Sequence, residues 1–139
     1  MSVLFLDTNI ISDMVRDLQG RAATRAKQAS IHRGDEALFT STVVQCELEY
    51  GLARKGNPRL RVAYQAVMDS IEVLPLDHNV SAHYAKLRAH LEQAGTPIGG
   101  NDMLIAAHAL SLGATLVTAD AEFSRVPGLM LENWLQPSP

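Results

Sequence analysis

An α/β fold, a parallel sheet with helices on both faces, is predicted by three features of this chain. Short apolar runs without polar alternation recur along it, and stretches of helical periodicity lie between them. Two of those runs end in an aspartate, Asp7 and Asp120, where open α/β sheets carry functional groups past the carboxyl ends of their strands. The composition agrees: 47% hydrophobic with only 5% aromatic, a core of Leu, Ile, Val and Ala that suits helices packed on a small sheet.

Taken in order, residues 2–6 read as a first buried strand and 8–17 as a short helix. Gln19-Gly20 then punctuates the chain. Residues 21–33 place Ala22, Ala23, Ala26 and Ala29 among Arg21, Arg25 and Lys27, a helix with a solvated basic face. A turn at Gly34-Asp35-Glu36 precedes a second strand over 37–40. Ser41 or Thr42 caps the next helix, which runs to about Arg54. Lys55-Gly56-Asn57-Pro58 stops that helix and starts another, with Asn57 as cap and proline in the first helical position. Leu60, Ala63, Tyr64, Val67 and Ile71 share a face; 71–74 is a third strand, closed by Pro75. Residues 78–94 repeat Val80, Tyr84, Leu87, Leu91 and Ala94 at helical spacing. A loop over 95–100 leads to a helix over 101–112 that is apolar almost all round and hence buried. A strand at 115–118, an acidic turn at 120–122 and a short strand at 129–131 complete the pattern. Residues 1–135 are expected to form a single domain and 136–139 a flexible tail.

Twelve basic and fifteen acidic residues give a net charge of −3, which is no footprint of a generic nucleic-acid binder. A carboxylate site that works through cations remains compatible with RNA. A lone cysteine, Cys46, forms no intrachain disulfide and fits a reducing compartment. The N-terminal apolar run is short, lacks a basic flank and is broken by Asp7, so it reads as a strand rather than a signal peptide. No stretch approaches the roughly 20 apolar residues of a membrane span. A soluble, cytoplasmic protein is expected.

Asp7, Glu47, Asp102 and Asp120 are the candidate ligands. Glu47 has Val43 and Val44 a turn before it and Gly51 a turn after, which places its carboxylate on the apolar face of a helix. A buried glutamate pairs with a cation, takes a proton, or meets an arginine; sequence leaves these open. Asp102 also reads as a helix-dipole partner, Asp7 as an N-cap and Asp120 as the start of a turn. Their conjunction carries the weight, because four converging carboxylates repel unless a cation joins them. Thr8, Asn9 and Thr118 stand beside the strand-end acids as groups that orient ligands. Thr118 reads equally as ordinary turn chemistry. Hard oxygen donors suit Mg²⁺ or Mn²⁺ rather than zinc. Such a site hydrolyses phosphodiesters; two ions, if bound, would lie roughly 3.5–4 Å apart.

Five histidines show no zinc spacing, and His108, in the buried helix, reads as a hydrogen-bonded core residue. Cys46 has no base beside it and reads as a small core residue. Arg54, Lys55, Arg59 and Arg61 cluster around the Gly56-Pro58 break, as a solvated surface or as phosphate contacts. Nucleophile elbow, P-loop and dinucleotide fingerprint are all missing from the sequence.

The segments LFLDTNIIS at 4–12, CELEYGLA at 46–53, GTPIGGNDMLIAAHALSLGATLVTAD at 95–120 and EFSRVPGLMLENW at 122–134 resemble the PIN-domain ribonucleases, specifically the VapC toxins of bacterial toxin–antitoxin pairs. The match spans nearly the whole chain. It implies a PIN-like three-layer fold with sheet order 3-2-1-4-5, a homodimer, and RNA cleavage dependent on Mg²⁺ or Mn²⁺ held by Asp7, Glu47, Asp102 and Asp120. It also implies a cognate VapB antitoxin that wraps the toxin and sets a basic side chain in the acidic pocket. Higher toxin–antitoxin assembly, contact with operator DNA only through the antitoxin, and no membrane partner follow in the same way. The helical region 21–71 is the expected antitoxin platform. One branch that the chain resembles cuts initiator tRNA in the anticodon stem-loop, which makes tRNA a substrate expectation.

Two departures bear on the site. Relatives commonly read Gly-Pro-x-Asp before the third acid, where this chain has Gly99-Gly100-Asn101-Asp102, a change that adds backbone freedom. The segment from Thr118 to Phe123 is also one residue shorter than in many relatives. The fourth acid therefore lies between Asp120 and Glu122, with strand geometry favouring Asp120. Two rival readings stand beside this one. A haloacid-dehalogenase-type phosphatase would use Asp7 as nucleophile but wants a second aspartate where Asn9 stands. A non-catalytic PIN-like RNA-binding module predicts intact RNA and no metal affinity.

Overall fold

The computed structural model describes residues 3–32 and 38–137. The turn expected at 34–36, the first residue of the second expected strand and the end of the tail lie outside them. Five strands, β1 (Leu4–Leu6), β2 (Leu38–Ser41), β3 (Ile71–Leu74), β4 (Thr115–Val117) and β5 (Met130–Glu132), form one sheet in the order β3-β2-β1-β4-β5. Every pairing is parallel. The order is the one the resemblance implies.

β1 is central, and all three of its residues are buried, as a strand covered on both faces must be. Phe5 is in register with Phe39 on one side and Leu116 on the other. The chain runs outward from β1 through β2 and β3, then returns to start again at β4. The order thus reverses between β1 and β4, and the crevice outside their carboxyl ends is where such sheets bind ligands.

Among the described residues six helices cover the sheet: α1 (Thr8–Arg16), α2 (Arg21–His32), α3 (Thr42–Lys55), α4 (Pro58–Met68), α5 (Asn79–Gln93) and α6 (Gly100–Ser111). Their ends follow the local chemistry. Ser41 caps α3 by accepting from the Val43 N–H at 3.1 Å. Gly56 ends it in the left-handed region (φ 63°), its N–H donating to the Leu52 carbonyl. Asn57 then accepts from the N–H groups of Arg59 and Leu60, with Pro58 first in α4.

The core gathers Phe5, Leu6, Ile10, Ile11, Ile105 and Leu116 around the central strands. His108 belongs to it: the ring packs edge-on against Phe5 at 5.0 Å, and Nδ1 lies 2.9 Å from the Ser41 hydroxyl. Burial lowers its pKa, against the smaller opposing charge of Asp77. Trp134 anchors the segment after β5, which Arg25 and Arg21 of α2 hold by donating to the Asn133 and Leu135 carbonyls.

Cys46 departs from expectation: it is exposed. The buried stripe of α3 is Val44 and Leu48, one turn apart, and Cys46 falls between them on the opposite side. The last strand lies one residue later than expected, at Met130–Glu132. The acidic turn is a 3-10 helix, Ala121–Arg125. Among the described residues no helix is long and apolar enough to cross a membrane.

Candidate metal centre

Asp7 is the first residue past β1. Its N–H continues the sheet by donating to the Val117 carbonyl at 2.9 Å, and its side chain caps α1 by accepting from the Thr8 N–H at 2.8 Å. Only 3% of it is exposed. Burial raises its pKa most strongly, against the lowering effect of the hydrogen bonds, and the charges of Glu47 and Asp120 add to the rise. A carboxylate so placed is costly to ionise without a nearby cation.

Thr118, the first residue past β4, is spent on this acid. Its hydroxyl donates to Asp7 Oδ2 at 2.7 Å and accepts from the Asp120 N–H at 3.0 Å. The Asn9 amide donates to Asp7 Oδ2 at 3.3 Å and to Thr118 Oγ1 at 3.4 Å, while its Oδ1 accepts from the Ala119 N–H at 3.0 Å. Asn9 therefore ties the start of α1 to the turn after β4. Thr8 donates from Oγ1 to Glu47 Oε1 at 2.6 Å, fixing the acid of α3 against the end of β1.

Asp102 enters from the first turn of α6. Its pKa rises to about 6, first through burial, then through the charges of Asp7, Asp120, Glu47 and Glu122. One carboxylate thus feels all four of the others. Asp102, Asp120 and Glu122 offer ligand oxygens within 4.8 Å of one another. Asp120 caps the 3-10 helix by accepting from the Glu122 N–H at 2.9 Å, so the turn presents both acids.

Of the four expected acids, Asp102 and Asp120 share this group, and Glu122 joins them instead of competing with Asp120; Asp7 and Glu47 stand outside it and are tied to it through their charges. Glu47 is half-buried, and among the described residues no arginine pairs with it, so the Thr8 hydroxyl stands where the alternative placed a guanidinium. Sequence reasoning missed Arg125, whose Nη1 donates to the Pro97 carbonyl at 3.0 Å and lies 3.9 Å from Glu122 Oε1. It braces the loop before α6 against the 3-10 helix; its spacing of three from Glu122 was the available signal. One guanidinium does not offset five carboxylates.

Of the basic cluster, Arg61 is paired with Glu49 at 2.9 Å, and Arg54 lies over the Tyr50 ring at 5.9 Å. Lys55 lines a cleft shared with Glu47. The donor set is all oxygen and strongly negative. It suits a hard divalent cation, and the raised pKa of Asp102 is the strain such a cation would relieve.

Comparison with known proteins bears on this arrangement. The PIN domain family model matches residues 4–129. The chain is 33% identical over 134 residues to Ribonuclease VapC2 of Rickettsia felis, covering 95% of this chain and 98% of that protein. It is 32% identical over 136 residues to the tRNA(fMet)-specific endonuclease VapC of Shigella flexneri, covering 96% and 99%. Among solved structures it resembles VapBC2 from Rickettsia felis bound to a DNA fragment from its promoter, with a TM-score of 0.87, 31% identity, and 95% and 98% coverage. DNA-bound VapBC from Salmonella typhimurium gives a TM-score of 0.80 and 29% identity, with 96% and 99% coverage.

Proposed function

The chain belongs to the PIN-domain family, and on that premise we propose that it is a VapC-type toxin, an endoribonuclease that hydrolyses RNA phosphodiester bonds with Mg²⁺ or Mn²⁺. The convergence of Asp7, Glu47, Asp102 and Asp120 at the crevice between β1 and β4 carries this reading. Those four would hold the ion; Asp102 and Asp120 already offer oxygens within 4.8 Å of one another, with Glu122 beside them as a further donor. When bound, such an ion activates a water and stabilises charge on the scissile phosphate.

The residues around the acids supply order. Thr118 and Asn9 fix Asp7, and Thr8 fixes Glu47, so the donors are oriented before any ligand arrives. Asp102 carries a proton below about pH 6 and gives it to solvent above that. Transfer RNA, the initiator tRNA in particular, is the proposed substrate, supported by the printed activity of the Shigella relative. The proposed partner is a VapB-type antitoxin docked on the helices within 21–71, supported by the VapBC complexes among the similar structures. A homodimer, acting in the cytoplasm, is part of the same proposal.

Purified chain with Mg²⁺ or Mn²⁺ should cut structured RNA, EDTA should stop it, and Asp7→Asn should abolish it while leaving the fold intact. Cleavage by Asp7→Asn at the wild-type rate would refute the site. Sequencing RNA ends after brief expression in cells identifies the substrate. The phosphatase reading is disfavoured because Asn9, standing where a second aspartate is needed, is committed to Ala119 and Asp7. A purely binding module has no use for a complete acid set.

A further inference from the structure

Resting on the ribonuclease reading above, we propose that the cleft between α1, α3 and α4 is a subsite for the RNA strand flanking the cut. In it Gly51 receives a base or ribose, and Arg16 with Lys55 holds a phosphate.

The cleft begins at the metal centre. Thr8 and Glu47, joined by their 2.6 Å hydrogen bond, are its inner end. From there Thr8, Ser12 and Arg16 step along one face of α1, and Glu47, Gly51 and Lys55 along one face of α3. Leu60 and Tyr64 of α4 form the far wall of an open cleft of about 120 Å³, a groove for part of a strand rather than a closed pocket. Glu47 and Lys55 are eight residues apart, or about 12 Å along the helix axis. That is a reach of one or two steps in an extended nucleic-acid strand.

Gly51 has no reason internal to the chain. It sits inside a fourteen-residue helix and its φ is not positive. A Cβ built there would meet no atom within 4 Å. The helix is weaker for the glycine and gains no packing from it. A bare backbone at that point serves something that approaches from outside.

The charges say what approaches. Arg16 and Lys55 are exposed and, among the described residues, have no carboxylate within salt-bridge reach, unlike Arg61, Arg88 and Arg125. The cleft therefore runs from a cation-seeking end, over an apolar floor, to two free cations. A strand with one phosphate at the metal centre and a later one at Arg16 and Lys55 satisfies both ends, its base or sugar covering the floor. A protein segment is the competing occupant, and the test separates the two.

Steady-state cleavage of a structured RNA with Mn²⁺ is measured for wild type, Gly51→Leu and the double variant Arg16→Ala/Lys55→Ala. Both variants should raise KM roughly tenfold while kcat stays within about threefold, the signature of lost ground-state binding. Lys55→Ala should flatten the slope of log affinity against log salt by about 0.7, one phosphate contact on a single strand. Leucine suits a helix better than glycine, so Gly51→Leu should melt at or above the wild-type temperature. The double variant changes only exposed side chains and tests the phosphate contact independently of the glycine. Wild-type KM in both variants overturns the subsite and leaves the ribonuclease reading standing. Unchanged cleavage by Gly51→Leu with lost inhibition by a VapB-type antitoxin assigns the cleft to a protein segment and likewise overturns it. If the wild-type chain cuts no RNA, the ribonuclease reading falls first and the subsite falls with it.

Discussion

Thr118 has one hydrogen and two lone pairs to offer, and all three are committed: to Asp7, to the Asp120 N–H and to Asn9. Thr118→Val keeps the shape and strands a buried carboxylate and an N–H. It should cost about 1–3 kcal/mol in denaturant unfolding and lower cleavage, while Thr118→Ser restores most of both. Asp102 makes the electrostatic strain measurable. Its pKa of about 6 stands above its ordinary 3.8, so the folded state binds the proton more tightly than the unfolded state. Stability from this group is complete below about pH 4 and is lost as pH rises through 6, with Asp7 acting in the same direction. The loss should be at most about 2 kcal/mol, because Asp102 is only half-buried and solvent screens it. Metal-free Asp102→Asn should show a shallower fall over that range in urea midpoints. The four acids were legible because each stands at a strand end or on a helical period. Glu122 was harder to place, since its position depends on a 3-10 turn that periodicity does not encode.

The element scale holds the departure from the family pattern. Gly100 is the first residue of α6, and Gly99 before it has φ −60° and ψ 155°, the extended conformation a following proline favours. A Cβ at Gly100 would meet nothing within 4 Å, and neither glycine uses a positive φ. Gly100→Pro should therefore fit the first helical position and stabilise the protein by about 0.4–1 kcal/mol, read as a higher Tm, by restricting the unfolded chain. Caps and breaks of this kind were plain in the sequence: Ser41, Gly56, Asn57 and Pro58 act as their chemistry dictates. Cys46 was misplaced because small apolar type was weighed above helical phase; Val44 and Leu48 already define the buried stripe.

Across the whole molecule the balance is between a sheet that needs its acids together and charges that resist it. A divalent cation that binds only the folded state raises stability by about 2.7 kcal/mol at a hundred times its Kd. Mg²⁺ or Mn²⁺ should accordingly raise the wild-type Tm with concentration and shift Asp102→Asn far less, as thermal melts would show. A flat response in both would remove the cation from the centre. Periodicity indicated a parallel sheet but not its order, because pairings such as Leu4 with Thr115 join residues no local pattern connects. That order came from the family resemblance.

The same separation governs when the acid centre can exist at all. Asp7 and Glu47 leave the ribosome before the strand that completes their crevice, Thr115–Val117, and the hydroxyl that seats Asp7 lies 111 residues after it. A growing chain holds those two acids with nowhere to assemble them. The acid centre closes only once β4 and the turn after it have been made, so a nascent chain that stops short of Thr118 carries Asp7 and Glu47 without the groups that complete their site.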